Sequence, residues 1–279
     1  MSIDPALDFM PAYGAAERVC VGVRRLTARN TGPLTFRGTN CYLLGDSEIT
    51  VIDPGPDDDA HVADLLAVAG APIRRVLVTH DHADHAGAAR RLSELTGAEV
   101  VGSAPIPSRP FYRPDGILAD DETVATEIGP LRVVATPGHA AGHICFDLAG
   151  SSLLFSGDHV MAWSTSVVVP PDGRMADYMA SLDRLAGVGA RSYLPGHGGQ
   201  VIDGLARVSE LKRHRQAREA AILRALDSGE RTIEEIVSAV YIGLDPALTG
   251  AAALSVTAHT DWLEERRLVR KAEGRLSRC

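Results

Sequence analysis

Thr79-His80-Asp81-His82-Ala83-Asp84-His85 places three imidazoles and two carboxylates within seven residues, directly after the run Arg75-Val76-Leu77-Val78. An apolar, β-branched run reads as a core strand, so the motif lies at a strand's C-terminal end and enters a turn. A helix is expected to start near Ala86. In extended backbone the side chains repeat every two residues, so His80 and His82 project toward one point. Asp84 and His85 lie past the bend and address a second point nearby. Neutral imidazole suits zinc, iron and nickel, and carboxylate oxygen adds charge and harder ligation. A polar turn of solvated histidines is the competing reading, and the density of the pattern argues against it.

Upstream of the motif, residues 17–25 alternate in the manner of one half-buried strand. Two further strands, Thr39 to Leu44 and Glu48 to Ile52, are joined at Gly45-Asp46 and stop at Asp53-Pro54-Gly55-Pro56. Asp57-Asp58-Asp59 supplies the negative charge that a helix N-terminus favours, and residues 60–69 continue as an amphipathic helix. Downstream come a helix over 86–95 and a short strand over 99–101. Residues 103–122 carry Pro105, Pro107, Pro110 and Pro114 without a clear period, and are read as a wall of an active-site mouth. Strands are expected at 131–135, 144–148, 152–155 and 192–194, with a helix over 177–185. That pattern predicts sheets packed on each other with helices outside.

The character changes after Asp203. An arginine-rich helix is expected from Gly204 to Asp227, and Thr232-Ile233-Glu234-Glu235 is a capping-box signature opening a second. A third covers residues 248–265, and Leu268-Val269-Arg270-Lys271 and Gly274-Arg275-Leu276 flank a turn. Three helices and a hairpin outline a winged helix. The chain therefore divides into residues 1–203, carrying the ligand motifs, and residues 204–279.

Composition narrows the function classes. Of 279 residues, 45% are hydrophobic and 23% charged, as in a globular protein with a real core, and the formal net charge is −8. From Leu205 onward there are 13 Lys/Arg against 11 Asp/Glu; the preceding part has 15 against 25, a net of −10. An acidic body of this kind is no electrostatic nucleic-acid binder. The four cysteines are scattered, with no C-x-x-C pair, so reduced thiols in a cytoplasmic protein are expected. Neither a signal peptide nor an apolar run of membrane-spanning length is visible, so no membrane partner is expected.

Three later stretches repeat the opening arrangement of a strand end followed by a ligand. They are Thr136-Pro137-Gly138-His139, Ser156-Gly157-Asp158 and Pro195-Gly196-His197-Gly198. A glycine beside each ligand lets the backbone approach a crowded centre. Together with His80-x-His82-x-Asp84-His85, they resemble the metallo-β-lactamase superfamily over roughly residues 17–200. The C-terminal segment is similar to the winged-helix tail of the β-lactamase-like protein 2 group within it.

The resemblance implies an α+β fold, a four-layer αββα sandwich with the metals at one edge of the two sheets, followed by a small winged helix. By matching positions, His80, His82 and His139 would hold a first metal, Asp84, His85 and His197 a second, and Asp158 would bridge both. Two divalent ions are implied, zinc foremost, with iron or manganese also compatible. Asp53 stands where the family keeps a supporting aspartate. Asp53 and Asp81 are candidates for orienting ligand imidazoles, and His143 is placed behind the ligands rather than among them. His61, His159, His214 and His259 are read as structural or solvated, with His159 near enough to Asp158 to line the pocket. The bridging Asp158 disfavours antibiotic hydrolysis, His82 disfavours a flavodiiron site, and no exosite arm of the tRNA-processing type is evident. Gly138-His139-Ala140 lacks the hydroxyl of the family's common Gly-His-Thr.

The implied chemistry is hydrolysis by a metal-bridging hydroxide, with Asp84 orienting or deprotonating the water. The expected substrate is a small ester or thioester. The alternatives are a single-strand endoribonuclease with RNA as partner, a mononuclear iron dioxygenase, and a winged-helix nucleic-acid-binding regulator. Arg213, Arg215 and Arg218 form either a phosphate patch or a solvated helix face. The tail is available for homodimerisation or for covering the site mouth.

Overall fold

The computed structural model describes residues 3–106, 108–109, 111–189 and 191–279. A first sheet of seven strands runs in sequence order: β1 (Glu17–Cys20), β2 (Val23–Thr27), β3 (Asn40–Leu44), β4 (Ile49–Ile52), β5 (Ile73–Val78), β6 (Glu99–Gly102) and β7 (Gly116–Ile117). β1 to β4 pair antiparallel, and β4 to β7 pair parallel. Parallel neighbours need a crossover. Helix α1 (Asp59–Ala69) makes one, and the one-turn α2 (Ala83–Ala86) with α3 (Ala89–Thr96) makes the next. A second sheet holds β8 (Thr123–Val124), β9 (Leu131–Ala135), β10 (Ile144–Leu148), β11 (Leu153–Gly157) and β12 (Ser192–Pro195), with α4 (Met175–Val188) crossing from β11 to β12.

Alternation along the strands explains the layering. In β5, Val76 and Val78 face α1 and α3, where they meet Leu65 and Leu92. Leu77 between them faces the other sheet, packing with Phe146 and Phe155. In β10, Cys145 turns the opposite way, toward Tyr178 and Leu182 of α4. Three apolar clusters between two helical layers and two sheets make the αββα sandwich.

Helix α5 (Gly204–Leu226) opens on the Asp203 carboxylate, which accepts the Ala206 N–H at 2.9 Å. Its Val208 and Leu211 pack with the sandwich, whereas Ile222 and Leu226 pack with α6 (Ile233–Val240), α7 (Thr249–Glu265) and the hairpin β13 (Val269–Ala272)–β14 (Arg275–Arg278). Packing thus changes hands inside the helix rather than at its start. The capping box at Thr232 is formed: Glu235 accepts the Thr232 N–H at 2.8 Å, and Thr232 accepts the Glu235 N–H at 3.3 Å.

Two local expectations change. Residues 17–25 are not one strand but a hairpin, because Gly22 takes φ 72° and reverses the chain. The helix expected from Ala86 begins at Ala83, inside the motif, and breaks before α3.

Candidate metal centre

Each candidate ligand sits where a strand stops. Past β5, His82 sits on extended backbone, and His80 Nε2 lies 3.0 Å from His82 Nδ1. His139, after β9, brings its Nε2 to 3.0 Å from the same His82 nitrogen. The one-turn α2 then swings Asp84 and His85 to the other side. There Asp84 Oδ2 is 3.2 Å and His85 Nε2 3.3 Å from His197 Nε2, which follows β12. Asp158, after β11, stands between the groups. Its Oδ2 is 3.6 Å from His139 Nε2 and 3.3 Å from His197 Nε2, and its Oδ1 is 3.4 Å from His85 Nε2. Within each trio, His80/His82/His139 and Asp84/His85/His197, the donor atoms lie within 4.8 Å of one another.

The outer ring nitrogens decide which way the lone pairs point. His139 Nδ1 donates to the Val167 carbonyl at 2.6 Å, and His197 Nδ1 to the Gly38 carbonyl at 3.2 Å. His85 Nδ1 meets Asp53 Oδ2 at 2.8 Å. His80 Nδ1 meets Thr79 Oγ1 at 2.9 Å, and that hydroxyl donates to Asp53 Oδ2 at 2.7 Å. His82 turns Nε2 outward toward Asp172 Oδ2 at 3.6 Å. Oxygen acceptors outside take up the outer nitrogens and leave the inner ones facing one another, placed to bind a cation in place of a proton. Asp158 Oδ1 is buried with no hydrogen-bond donor. Converging lone pairs with an orphaned carboxylate oxygen fit divalent cations.

Electrostatics separate the two halves. Burial alone would lower His197, but Asp158 and Asp84 outweigh it and raise its pKa to about 9. Burial lowers His139 to about 4, against a smaller opposing pull from Asp158. The field that holds a proton at His197 equally favours a cation in its place.

Close backbone approach is required at Gly196. A Cβ there would strike His85 Cε1 and sit 2.5 Å from Asp158 Oδ1.

His143 stands behind the ligands: its Nδ1 is 2.8 Å from Thr136 Oγ1, and its Nε2 accepts the Asp158 N–H at 3.2 Å. Asp81 does not orient an imidazole directly. It accepts the Ile106 N–H at 2.8 Å and pairs with Arg109, which also holds Asp172 at 2.6 Å. Its reach to His82 therefore runs through Arg109 and Asp172. These two residues were not among the sequence candidates. Pro170-Pro171-Asp172-Gly173 marks a turn, but nothing local says that it points at His82. His159, expected to line the pocket, packs behind it against the Tyr178 ring at 4.6 Å.

The centre opens into a cavity of about 550 Å³. Ile106, Ser108 and Arg109 from the proline-rich stretch line it, together with Leu34, Thr35 and Val169. Pro107 and Pro110 lie outside the described residues.

The sandwich with histidine and aspartate ligands at strand ends defines a metal-dependent hydrolase, and the chain belongs to the metallo-β-lactamase superfamily, whose model matches residues 34–197. Residues 232–276 match the beta-lactamase associated winged helix domain. Within the superfamily, the chain is 31% identical to a Caenorhabditis elegans beta-lactamase-like protein 2 homolog, over 81% of this chain and 78% of that one. It is 28% identical to an atrochrysone carboxyl ACP thioesterase of Aspergillus terreus, over 87% of this chain and 79% of that one. A solved metallo-beta-lactamase family protein from Thermus thermophilus superimposes with a TM-score of 0.79 at 27% identity, covering 94% of this chain and 100% of that one. No helix among the described residues is long and apolar enough to cross a membrane.

Proposed function

We propose that this hydrolase cleaves a small ester or thioester with two divalent ions, zinc foremost, held by His80, His82 and His139 on one side and by Asp84, His85 and His197 on the other. The observation that carries this reading is Asp158, whose Oδ2 reaches His139 at 3.6 Å and His197 at 3.3 Å. One carboxylate within range of both groups suits a pair of ions rather than one. Such ions, when bound, supply a water nucleophile of lowered pKa and polarise the substrate carbonyl.

The remaining work falls to the chain itself. Asp84 lines the cavity, and its carboxylate, whose Oδ2 lies 3.2 Å from His197 Nε2, is the group to accept the proton from water and pass it to the leaving group. Thr39 Oγ1 lies 3.4 Å from that oxygen and limits its rotation. Leu34, Ile106 and Val169 give the cavity apolar lining that suits an acyl group. None of the described residues lining the cavity is a cysteine, and burial pushes the Cys145 thiol up to about 12. The thioesterase relative supports a thioester, and the net charge of −10 before Leu205 opposes a phosphate backbone.

Metal analysis and a screen over thioesters, lactones and single-stranded RNA test the reading together. Two metals per chain and thioester turnover are expected, with turnover lost in His82→Ala and Asp158→Ala. One iron per chain with oxygen consumption, or RNA cleavage without thioester turnover, overturns it.

A further inference from the structure

Leu34 and Val167 line the metal cavity, and the same two residues line a second cleft of about 380 Å³ between the sandwich and the C-terminal domain. The far wall of that cleft is built by Arg218 of α5, Tyr241 after α6, and Leu248 and Ala251 around the start of α7. The partition between the two spaces is fixed, because the Val167 carbonyl accepts the N–H of His139.

One character of the cleft is apolar: Leu34 is 61% and Leu248 46% exposed at its rim. The other is cationic. Arg215 is buried, with its Nε lacking any hydrogen-bond partner, and the buried Ser166 hydroxyl beside it is equally without one. The Arg215 guanidinium donates to the Ser166 carbonyl and lies 5.2 Å over the Tyr178 ring. Arg218 lies 3.8 Å over the Tyr241 ring and donates to the Val240 carbonyl. Among the described residues, no carboxylate lies within 4.0 Å of either arginine, although Arg207, Lys212 and Arg266 nearby all have one. Arg215 is thus no part of a solvated helix face, and the exposed Arg213 lines a different surface with Asp4 and Glu210. The Arg215 Nε and the Ser166 hydroxyl are closed off from the cleft, so it is the charge of Arg215 and of the half-buried Arg218, both lining the cleft and matched by no described carboxylate, that favours an anion there.

We propose that this cleft takes the non-reacting end of the substrate: an acyl chain that starts at the metal centre, crosses Leu34 and Val167, and carries a terminal carboxylate or phosphate to Arg215 and Arg218. The assignment rests on the hydrolase reading above. It gives the C-terminal domain a role in substrate choice, since binding energy gained far from the scissile bond can be realised at it.

The test uses thioesters of one small thiol with an acetyl group, a decanoyl chain, or the same long chain ending in a carboxylate or a phosphate. On the metal-loaded enzyme, kcat/KM for the better anionic chain is expected to exceed that for the neutral chain by about tenfold, and Arg218→Gln is expected to erase that ratio. The preferred terminus identifies the source of the anion. Ala251→Trp, which fills the cleft from an exposed position, should lower all three long chains about tenfold relative to acetyl. Calorimetry with thioether analogues, which cannot be hydrolysed, reads the same ratio independently of turnover.

Thioester hydrolysis indifferent to the chain terminus in the wild type overturns the cleft assignment and leaves the hydrolase reading standing. Arg218-dependent binding of the thioether analogues without thioester turnover does the reverse. An Arg218→Gln protein that loses single-stranded RNA affinity while keeping the chain ratio also overturns the assignment, in favour of a nucleic-acid phosphate site.

Discussion

Asp53 Oδ2 lies 2.8 Å from His85 Nδ1, and the same oxygen accepts the Thr79 hydroxyl that touches His80. One carboxylate therefore steadies an imidazole in each half of the candidate metal centre. Its backbone sits at φ 51°, in the left-handed region where Asp and Asn are tolerated better than most residues. Asp53→Asn keeps the shape and the backbone preference and removes the charge. Metal affinity is expected to fall about 10–100-fold in chelator competition, with the far-UV spectrum unchanged. An affinity equal to the wild type's would show Asp53 to be a bystander.

Gly196→Ala introduces a methyl between His85 and Asp158, where neither can withdraw without losing its present contacts. Stability should fall by about 1–3 kcal/mol in denaturant unfolding, and metal content should fall by at least one ion per chain. Full occupancy in the variant would mean that the loop after β12 yields more easily than its packing indicates.

His259 is buried in α7 with neither ring nitrogen hydrogen-bonded by the protein. Burial, then the charges of Arg215, Arg218 and His214, hold its pKa well below the ordinary histidine value. The unfolded chain takes up a proton near pH 6.5 that the folded chain refuses. Stability from this group is therefore present above that pH and declines as pH falls toward the folded pKa. His259→Leu removes the term, so its advantage over the wild type should grow by about 1.4 kcal/mol per pH unit below 6.5. Urea unfolding at pH 7.5 and 5 measures this; parallel curves would refute it.

The convergence of the candidate ligands is legible in the sequence, because they come in short motifs that each end a strand. His80 to His85 announces itself locally, and β9, β11 and β12 deliver His139, Asp158 and His197 by the same grammar. The winged helix was equally readable, from the capping box at Thr232 and the turn at Glu273-Gly274. What escaped were relationships carried by long-range packing. Asp81 reads as a partner for its histidine neighbours, yet Arg109, 28 positions further on, holds it instead. Asp172 reaches His82 from 90 positions along the chain. Arg215 reads as surface in an arginine-rich helix, and only the fold reveals it as buried.

Because α5 gives Val208 and Leu211 to one core and Ile222 and Leu226 to another, it works as a shared beam rather than a hinge. Cutting the chain at Asp203 would strip the sandwich of part of its own outer lining. The tail is thus no detachable cassette, and grafting it onto a different enzyme of this fold would require carrying the beam and its seat across as one piece.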